Sequence, residues 1–164
     1  MKLKIKDIAI FAMLGALMYT SKLIMNALPN IHLIGVFIVA ITAVYRVRAL
    51  YPIYIFVFLT GLFEGFGLWW LPYLYIWALL WGAVMLLPRN ANPVFLILLC
   101  GLHGFLFGVL YAPAQALIFN LSFKSTISWV IAGFPYDAVH GVSNLICGAI
   151  LIIPLTKLLK LADK

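Results

Sequence analysis

Apolar segments of membrane-spanning length, separated by short polar breaks, fill almost all of this 164-residue chain. Hydrophobic residues make up 66% of the sequence and charged residues only 9%, a balance typical of polytopic membrane proteins and not of soluble domains. We therefore predict an all-α membrane protein with a single domain over residues 1–164.

Hydropathy divides the chain into six apolar segments. The second segment is short for a spanning helix, and we expect it to tilt little or to begin inside a pocket loop. The clearest break is the proline- and asparagine-rich turn at residues 88–93. The six segments cover residues 8–25, 32–45, 50–68, 70–87, 94–119 and 135–159.

Basic residues give the predicted orientation of these segments. With both termini in the cytoplasm, nine of the 11 basic residues lie inside, and only Lys22 and Lys124 lie outside. This asymmetry predicts six spans with cytoplasmic termini. The N-terminal lysines mimic a signal peptide, but no small-residue cleavage site follows, so we expect a retained first helix. The inner basic residues are Lys2, Lys4, Lys6, Arg46, Arg48, Arg89, Lys157, Lys160 and Lys164.

Composition and motifs also narrow the possible functions. The net charge of +7 reflects membrane orientation, so we expect no nucleic-acid partner. The sequence has no GxxxxGK[ST] phosphate loop, so ATP-driven transport would require another subunit to hydrolyse the ATP. Cys100 and Cys147 fall inside apolar segments, and we expect them to be small core residues without a disulfide, metal or cofactor.

A polar stripe interrupts the last apolar segment. Asp137, His140 and Asn144 recur at three- and four-residue steps and share one helical face. Pro135 suits the first turn of that helix, and Asp137 near its start favours the positive end of the helix dipole. The stripe is either a packed helix end capped by Asp137 or the floor and wall of a binding pocket. His103 lies at a similar depth, and we expect it to form a structural hydrogen bond between the fifth and sixth helices.

Further polar residues gather at the outer end of the predicted bundle. The charges of Lys22 and Lys124 cancel those of Glu64 and Asp137 there. Two structural ion pairs at the rim would explain this balance, and so would an outward-facing pocket for a neutral or zwitterionic ligand. The uncharged polar residues and the histidine at this end are Gln115, Asn120 and His32.

Four aromatic residues are predicted to form one face of the fourth helix. Trp70, Tyr73, Trp77 and Trp81 recur at three- and four-residue steps. An aromatic belt at the headgroups explains Trp70 and Tyr73, whereas Trp77 and Trp81 lie too deep for a belt. The deeper pair either packs against neighbouring helices or provides a wall on which a flat ligand stacks.

Small residues mark predicted helix contacts. Ala9, Ala12 and Ala16 form a stripe on the first helix, which packs either inside its own bundle or against a helix of another protein. The GxxxG pairs at residues 61–65 and 104–108 are expected to serve packing within the bundle.

Taken together, these features resemble the substrate-binding S component of energy-coupling factor vitamin transporters. The resemblance covers essentially the whole chain through its size and its six spans with cytoplasmic ends. The motifs that carry it are Ala12-Met13-Leu14-Gly15-Ala16, Leu28-Pro29-Asn30, Gly65-Phe66-Gly67-Leu68-Trp69-Trp70, and Gly133-Phe134-Pro135-Tyr136-Asp137 with His140 and Asn144.

The resemblance implies a multi-pass protein of a bacterial plasma membrane that binds a vitamin or cofactor precursor from outside, mostly among helices four to six. Its implied partners are a transmembrane coupling subunit and two ATPase subunits. Ala12 and Ala16 match the alanine motif that meets the coupling subunit. The candidate substrate-binding residues are Asp137, His140, Asn144, Trp77, Tyr73, Trp70, Glu64 and Gln115.

Two functions from other classes compete with this interpretation. An intramembrane enzyme would use Asp137, His140 and His103, but no nucleophile–base–orienter set and no metal-ligand spacing is recognisable. A structural or assembly subunit would bind no ligand. Since no catalytic residue emerges, we expect a protein that is not an enzyme.

Overall fold

A computed structural model describes residues 4–163, so the basic residues Lys2 and Lys164 lie outside the described residues. Within this range the chain forms seven α-helices, three short 3-10 helices and no strand, which confirms the predicted all-α fold. The helices are α1 (Ile5–Ile24), α2 (Ile34–Tyr45), α3 (Leu50–Glu64), α4 (Tyr73–Met85), α5 (Pro93–Phe105), α6 (Phe107–Phe119) and α7 (Phe123–Ala162).

α2 runs parallel to α4 and to α7. Arg46, at the end of α2, donates from Nη2 to the carbonyl oxygen of Met85 at 2.7 Å, so α2 and α4 end together. Tyr45 donates its hydroxyl to the carbonyl oxygen of Leu159 at 3.4 Å, so α7 ends there too. At the other end of α2, a Cβ on Gly35 would lie 3.2 Å from Nδ2 of Asn144 in the middle of α7.

Ion pairs at the two ends of the bundle fix the directions of α1 and α3. Nη2 of Arg48 lies 2.9 Å from Oδ1 of Asp163, and its Nη1 lies 3.5 Å from Oδ1 of Asp7. Nζ of Lys22 lies 2.6 Å from Oε2 of Glu64 at the opposite end, so α1 and α3 run parallel and away from Arg48. Both described termini therefore lie at one end, which the positive-inside rule assigns to the cytoplasm. We call it the basic end; its residues are Lys4, Lys6, Arg46, Arg48, Arg89, Lys157 and Lys160.

The chain is a multi-pass membrane protein. Four helical stretches within residues 4–163 are long and apolar enough to cross a membrane, or five if the bent pair α5–α6 counts as one span. One stretch, Ile34–Glu64, contains both α2 and α3, and the chain turns between them at Arg46, where φ is 53°. Counted by direction, α1, α2, α3, α4, the α5–α6 pair and α7 make six alternating passes, which correspond to the six predicted segments.

The predicted continuous helix over residues 94–119 is wrong at its centre. α5 ends at Phe105 and α6 begins at Phe107, with a bend of 40° between them. The N–H of Leu106 still donates to the carbonyl oxygen of Leu102 at 3.0 Å, whereas the N–H of Gly108 donates to Oδ2 of Asp137 at 3.0 Å. A carboxylate from α7 thus replaces the backbone acceptor that would have continued the helix.

The predicted helix start at Pro135 is also wrong. α7 begins at Phe123, where the hydroxyl oxygen of Ser122 accepts from the N–H of Ser125 at 3.2 Å and caps the helix. The helix then continues through Pro135 and Pro154. Membrane helices tolerate interior prolines because neighbouring groups re-satisfy the freed backbone. Asp137 consequently lies inside a helix and does not cap its start.

Glycines bring α5 and α7 into direct backbone contact. A Cβ on Gly104 would lie 2.8 Å from Cα of Gly141, and one on Gly101 would overlap the side chain of Leu145. Only glycine permits so close an approach of two helices. This contact sets the position of the polar stripe of α7 against α5.

Candidate functional site

Five aromatic rings lie together inside the bundle. They come from α4, α5, α6, α7 and the connector that precedes α2. The ring centroid of His140 lies 4.5 Å from that of His32 and 5.1 Å from that of Phe107. Trp77 lies 6.2 Å from His32, 5.7 Å from Phe107 and 5.6 Å from His103, centroid to centroid. We call this the ring cluster; it consists of His32, Trp77, His103, Phe107 and His140.

Polar atoms at the ring cluster are buried without hydrogen-bond partners. Six side-chain atoms within residues 4–163 are in this state, and only Thr42 Oγ1 belongs to a residue outside the site. Each such atom costs roughly 1–3 kcal/mol while it stays unpaired. Five of the six lie at or beside the ring cluster, so unused hydrogen-bonding capacity is concentrated there. The five are His32 Nδ1, Trp77 Nε1, His103 Nδ1, His140 Nε2 and Asn144 Oδ1.

Asn144 lies one turn below His140 on α7 and is fully buried. Its Nδ2 donates to the carbonyl oxygen of Cys100 on α5 at 3.3 Å, which fixes the orientation of the carboxamide. Gly35 at the start of α2 has no side chain to fill the space beside Asn144. The carboxamide oxygen is therefore held in place with its acceptor capacity unused.

Ser143 ties the connector before α2 to α7. Its hydroxyl is 2.9 Å from the carbonyl oxygen of His140 and 3.3 Å from that of Asn30. This contact holds His32 against His140. His32 lies outside the helices, and burial, with smaller contributions from His103 and Lys22, lowers the pKa of its imidazole to about 4. The His32 ring is thus uncharged at neutral pH.

His103 does not form the predicted hydrogen bond between the fifth and sixth helices. Its Nε2 lies 3.2 Å from the carbonyl oxygen of Ile76 on α4. Because a carbonyl oxygen can only accept, Nε2 carries the proton, and an uncharged His103 keeps Nδ1 as an acceptor. The bond joins α5 to α4 and leaves Nδ1 buried beside Trp77.

Asp137 bonds to the backbone of α6. Its carboxylate accepts from the N–H of Gly108 and occupies the space that a side chain on Gly108 would need. It therefore caps the start of α6 and does not cap the start of its own helix, as one of the two alternatives for the polar stripe required. The polar stripe is thus divided, with Asp137 bonded to backbone and with unpaired atoms on His140 and Asn144.

The four aromatic residues predicted on one face of the fourth helix separate into three environments. Tyr73 packs on Trp77 with a centroid distance of 5.5 Å, next to the ring cluster. Trp70 precedes α4 and donates from Nε1 to the carbonyl oxygen of Val57 on α3 at 2.8 Å. Trp81 donates to the carbonyl oxygen of Arg46 at the basic end at 3.1 Å. Only Tyr73 and Trp77 accompany the histidines.

Glu64 and Gln115 lie away from the rings. Glu64 pairs with Lys22 at the outer rim, so one of the two ion pairs expected under the rim alternative is present. Asp137 bonds to Gly108 and forms no pair with Lys124. Gln115 is half-buried on α6, two turns beyond Phe107.

Neither the place of Phe107 in the ring cluster nor the central position of His32 was predicted from the sequence. Phe107 reads as one more apolar residue of a continuous helix, and only the break at Leu106 turns it toward Trp77. His32 was recognisable as an outer polar residue, but its contact with His140 joins positions more than 100 residues apart. The sequence signal that could have identified His32 was its position two residues after the Pro29-Asn30 turn.

The alanine stripe of α1 lies on the outside of the bundle. Ala12 and Ala16 are exposed, whereas Phe11, Gly15 and Met18 on the same helix are buried. The alternative in which these alanines pack inside their own bundle is therefore wrong. The stripe is open to lipid or to another protein.

Comparisons with protein-family models, with curated proteins and with solved structures found no match to this chain. Within residues 4–163, no group of three or more histidine, cysteine, aspartate or glutamate side chains is placed to hold a metal ion. The site can therefore be described by its own chemistry, as a buried set of flat rings with both donor and acceptor atoms free.

Proposed function

We propose that the chain is the substrate-binding membrane subunit of an energy-coupling factor type importer in a bacterial plasma membrane. In this role it captures a vitamin or cofactor precursor from outside and releases it inward, without making or breaking a covalent bond. The observation that supports this function is the set of five buried polar atoms without partners at the ring cluster. A guest with matching donors and acceptors would offset the cost of burying them.

The free atoms specify the chemistry of the guest. Nε1 of Trp77 can only donate, whereas Oδ1 of Asn144 and Nδ1 of His103 accept. The guest must therefore offer at least one acceptor and two donors. The ring cluster itself contains no carboxylate, ammonium or guanidinium group, and the neighbouring carboxylate of Asp137 already accepts from the N–H of Gly108.

The ring walls restrict the shape of the guest. Trp77 and Phe107 present faces and edges on which a flat molecule stacks favourably. An uncharged, planar nitrogen heterocycle with donors and acceptors on its edge, as found in many vitamins and their precursors, fits these requirements. An anionic or strongly cationic guest does not, because burying its charge without a partner is costly.

The exposed alanine stripe supports the coupling part of the proposal. Ala12 and Ala16 leave the outer face of α1 nearly flat, and small residues let a helix of another membrane protein approach closely. In this proposal a transmembrane coupling subunit docks there and is driven by two ATPase subunits.

Thermal unfolding of the purified protein against a panel of vitamins and precursors tests the ligand-binding role. A ligand that binds only the folded state at about 100 times its Kd stabilises the protein by roughly 2.7 kcal/mol. We expect one uncharged heterocycle to raise the Tm and to lose this effect in His140→Phe. Conversion of a panel member to product would favour an intramembrane enzyme, and no shift with any of them would favour a ligand-free structural subunit.

A second experiment tests the coupling role separately. Ala12→Leu and Ala16→Leu should leave folding and ligand-induced stabilisation unchanged but abolish co-purification with the coupling subunit and ATP-driven uptake. Ala149→Leu, on an exposed position of α7, is the matched control. It should leave folding, ligand-induced stabilisation, co-purification and uptake all unchanged. Normal assembly and uptake in both α1 variants would remove the alanine stripe from the coupling role.

A further inference from the structure

A cavity at the basic end of the bundle is separate from the ring cluster. It encloses about 270 Å³ between the turn at residues 88–93 and the last turns of α7. Its inner wall is apolar, with Leu96 from α5 and Ile152 from α7 both buried. Three basic side chains and one carboxamide line it as well: Arg89, Lys157, Lys160 and Asn90.

Within residues 4–163, the three basic side chains have no acidic side chain as a partner. The chain contains four acidic residues, and each is bonded elsewhere. Asp7 and Asp163 pair with Arg48, Glu64 pairs with Lys22, and Asp137 accepts from the N–H of Gly108. No side-chain carboxylate within residues 4–163 is therefore paired with Arg89, Lys157 or Lys160. An apolar cavity lined by three uncompensated cations attracts an anion.

The start of α5 adds to this positive potential. Pro93 at the first position of the helix lines the same cavity, so the positive end of its dipole points there. The first free N–H, that of Val94, is already bonded to Oδ1 of Asn92 at 3.0 Å. The start of α5 therefore adds positive electrostatic potential to the cavity and few direct hydrogen bonds. The basic side chains supply the hydrogen-bond donors.

We infer that this cavity binds the phosphate of an anionic phospholipid from the cytoplasmic leaflet. The cavity lies at the membrane end that the positive-inside rule assigns to the cytoplasm, where anionic headgroups face basic pockets between helices. Ile153 borders the cavity and is 40% exposed, which gives the acyl chains an apolar surface beside the headgroup site. This inference does not depend on the identity of any ligand at the ring cluster.

Native mass spectrometry of the detergent-purified protein with added lipid tests the inference. We expect phosphatidylglycerol to bind more tightly than phosphatidylcholine of the same chain length. The variant Lys157→Gln/Lys160→Gln should lose about fivefold in phosphatidylglycerol affinity for each lysine. The control Lys4→Gln/Lys6→Gln removes two charges from the same end of the bundle, away from the cavity, and should keep the affinity.

Three results would overturn the lipid site. Equal binding of the two lipids would show that the phosphate charge is not recognised. An equal loss in both double variants would show general attraction to the basic end and no defined cavity. Displacement of phosphatidylglycerol by millimolar glycerol 3-phosphate would assign the cavity to a soluble anion. Unchanged thermal unfolding of both variants in lipid-free detergent is required to exclude misfolding as the cause.

Discussion

Two tryptophans one turn apart on α4 have opposite surroundings. Trp81 donates its indole N–H to the carbonyl oxygen of Arg46 at 3.1 Å, at the basic end. The side chain of Trp77 is only 1% exposed, and its indole N–H has no hydrogen-bond partner within residues 4–163. The same residue type on the same helix is thus satisfied by backbone in one place and left unpaired in the other.

The difference extends to the neighbours of each tryptophan. Around Trp81, the guanidinium of Arg46 donates to the carbonyl oxygens of Val84 and Met85. Around Trp77, His103 and His140 each keep one nitrogen unpaired. The groups around Trp81 are therefore paired with one another and join the ends of α2 and α4, whereas the ring cluster has unused hydrogen-bonding capacity. Four predictions test this contrast.

The largest effect is expected where α5 contacts α7 beneath the rings. In Gly104→Leu the new side chain would collide with Gly141 and Asn144, and we expect a loss of about 3 kcal/mol in the free energy of unfolding. Gly82→Leu is the matched control, because a Cβ at Gly82 meets no atom within 4 Å. Chemical unfolding in detergent measures both. Equal stability of the two variants would mean that the helix contact does not support the site.

The second prediction compares the two tryptophans directly. Trp77→Phe removes an unpaired N–H and keeps a ring, so ligand affinity should fall about 30-fold, or about 2 kcal/mol, with little change in the Tm without ligand. Trp81→Phe removes a bonded N–H, so its Tm should fall while ligand affinity stays the same. Thermal unfolding with and without ligand separates the two effects. Loss of ligand affinity in Trp81→Phe together with unchanged affinity in Trp77→Phe would contradict the prediction.

The third prediction concerns Asp137. Asp137→Ala leaves the N–H of Gly108 unpaired and should cost about 1–2 kcal/mol of unfolding free energy. Asp137→Asn keeps an acceptor oxygen and should remain close to the wild type in both stability and ligand affinity. If Asp137→Asn folds normally but binds ligand at least tenfold more weakly, Asp137 belongs to the site and not to the helix cap.

The smallest effect is expected from Arg48→Gln at the basic end. Its ion pairs with Asp7 and Asp163 are partly exposed, and such pairs contribute about 1 kcal/mol or less. Unfolding free energy should fall by that amount, and less so at high salt, while ligand affinity stays unchanged. A loss of ligand affinity in this variant would show that the two ends of the bundle are coupled.

The periodic features of the sequence predicted the fold well. Hydropathy and the basic residues predicted an all-α bundle of alternating passes, because lipid imposes length and charge rules that can be read locally. The small-residue spacing at Gly104 and Gly108 likewise predicted close helix packing. Each of these signals depends on residues near one another in the chain.

Contacts between distant segments could not be predicted in the same way. One alternative for Asp137 was that it caps the helix on which it lies; instead it caps α6, because the break at Leu106 freed the N–H of Gly108. The same break brings Phe107 beside His140. Sequence proximity favoured the local partner, whereas the folded chain offered Asp137 a donor from another helix.

The length of α7 determines how deep the ring cluster lies in the membrane. Its 40 residues extend about 60 Å, roughly twice the thickness of the hydrocarbon layer. With Lys157 at the inner headgroups, Asp137 lies about 30 Å higher, near the outer boundary, and His140 just below it. The turns before Asp137 then rise among the outer headgroups, where Trp129 stacks on Tyr111 at 6.1 Å. A water-soluble ligand would thus reach the ring cluster from the outer headgroup region, without crossing the hydrocarbon core of the membrane.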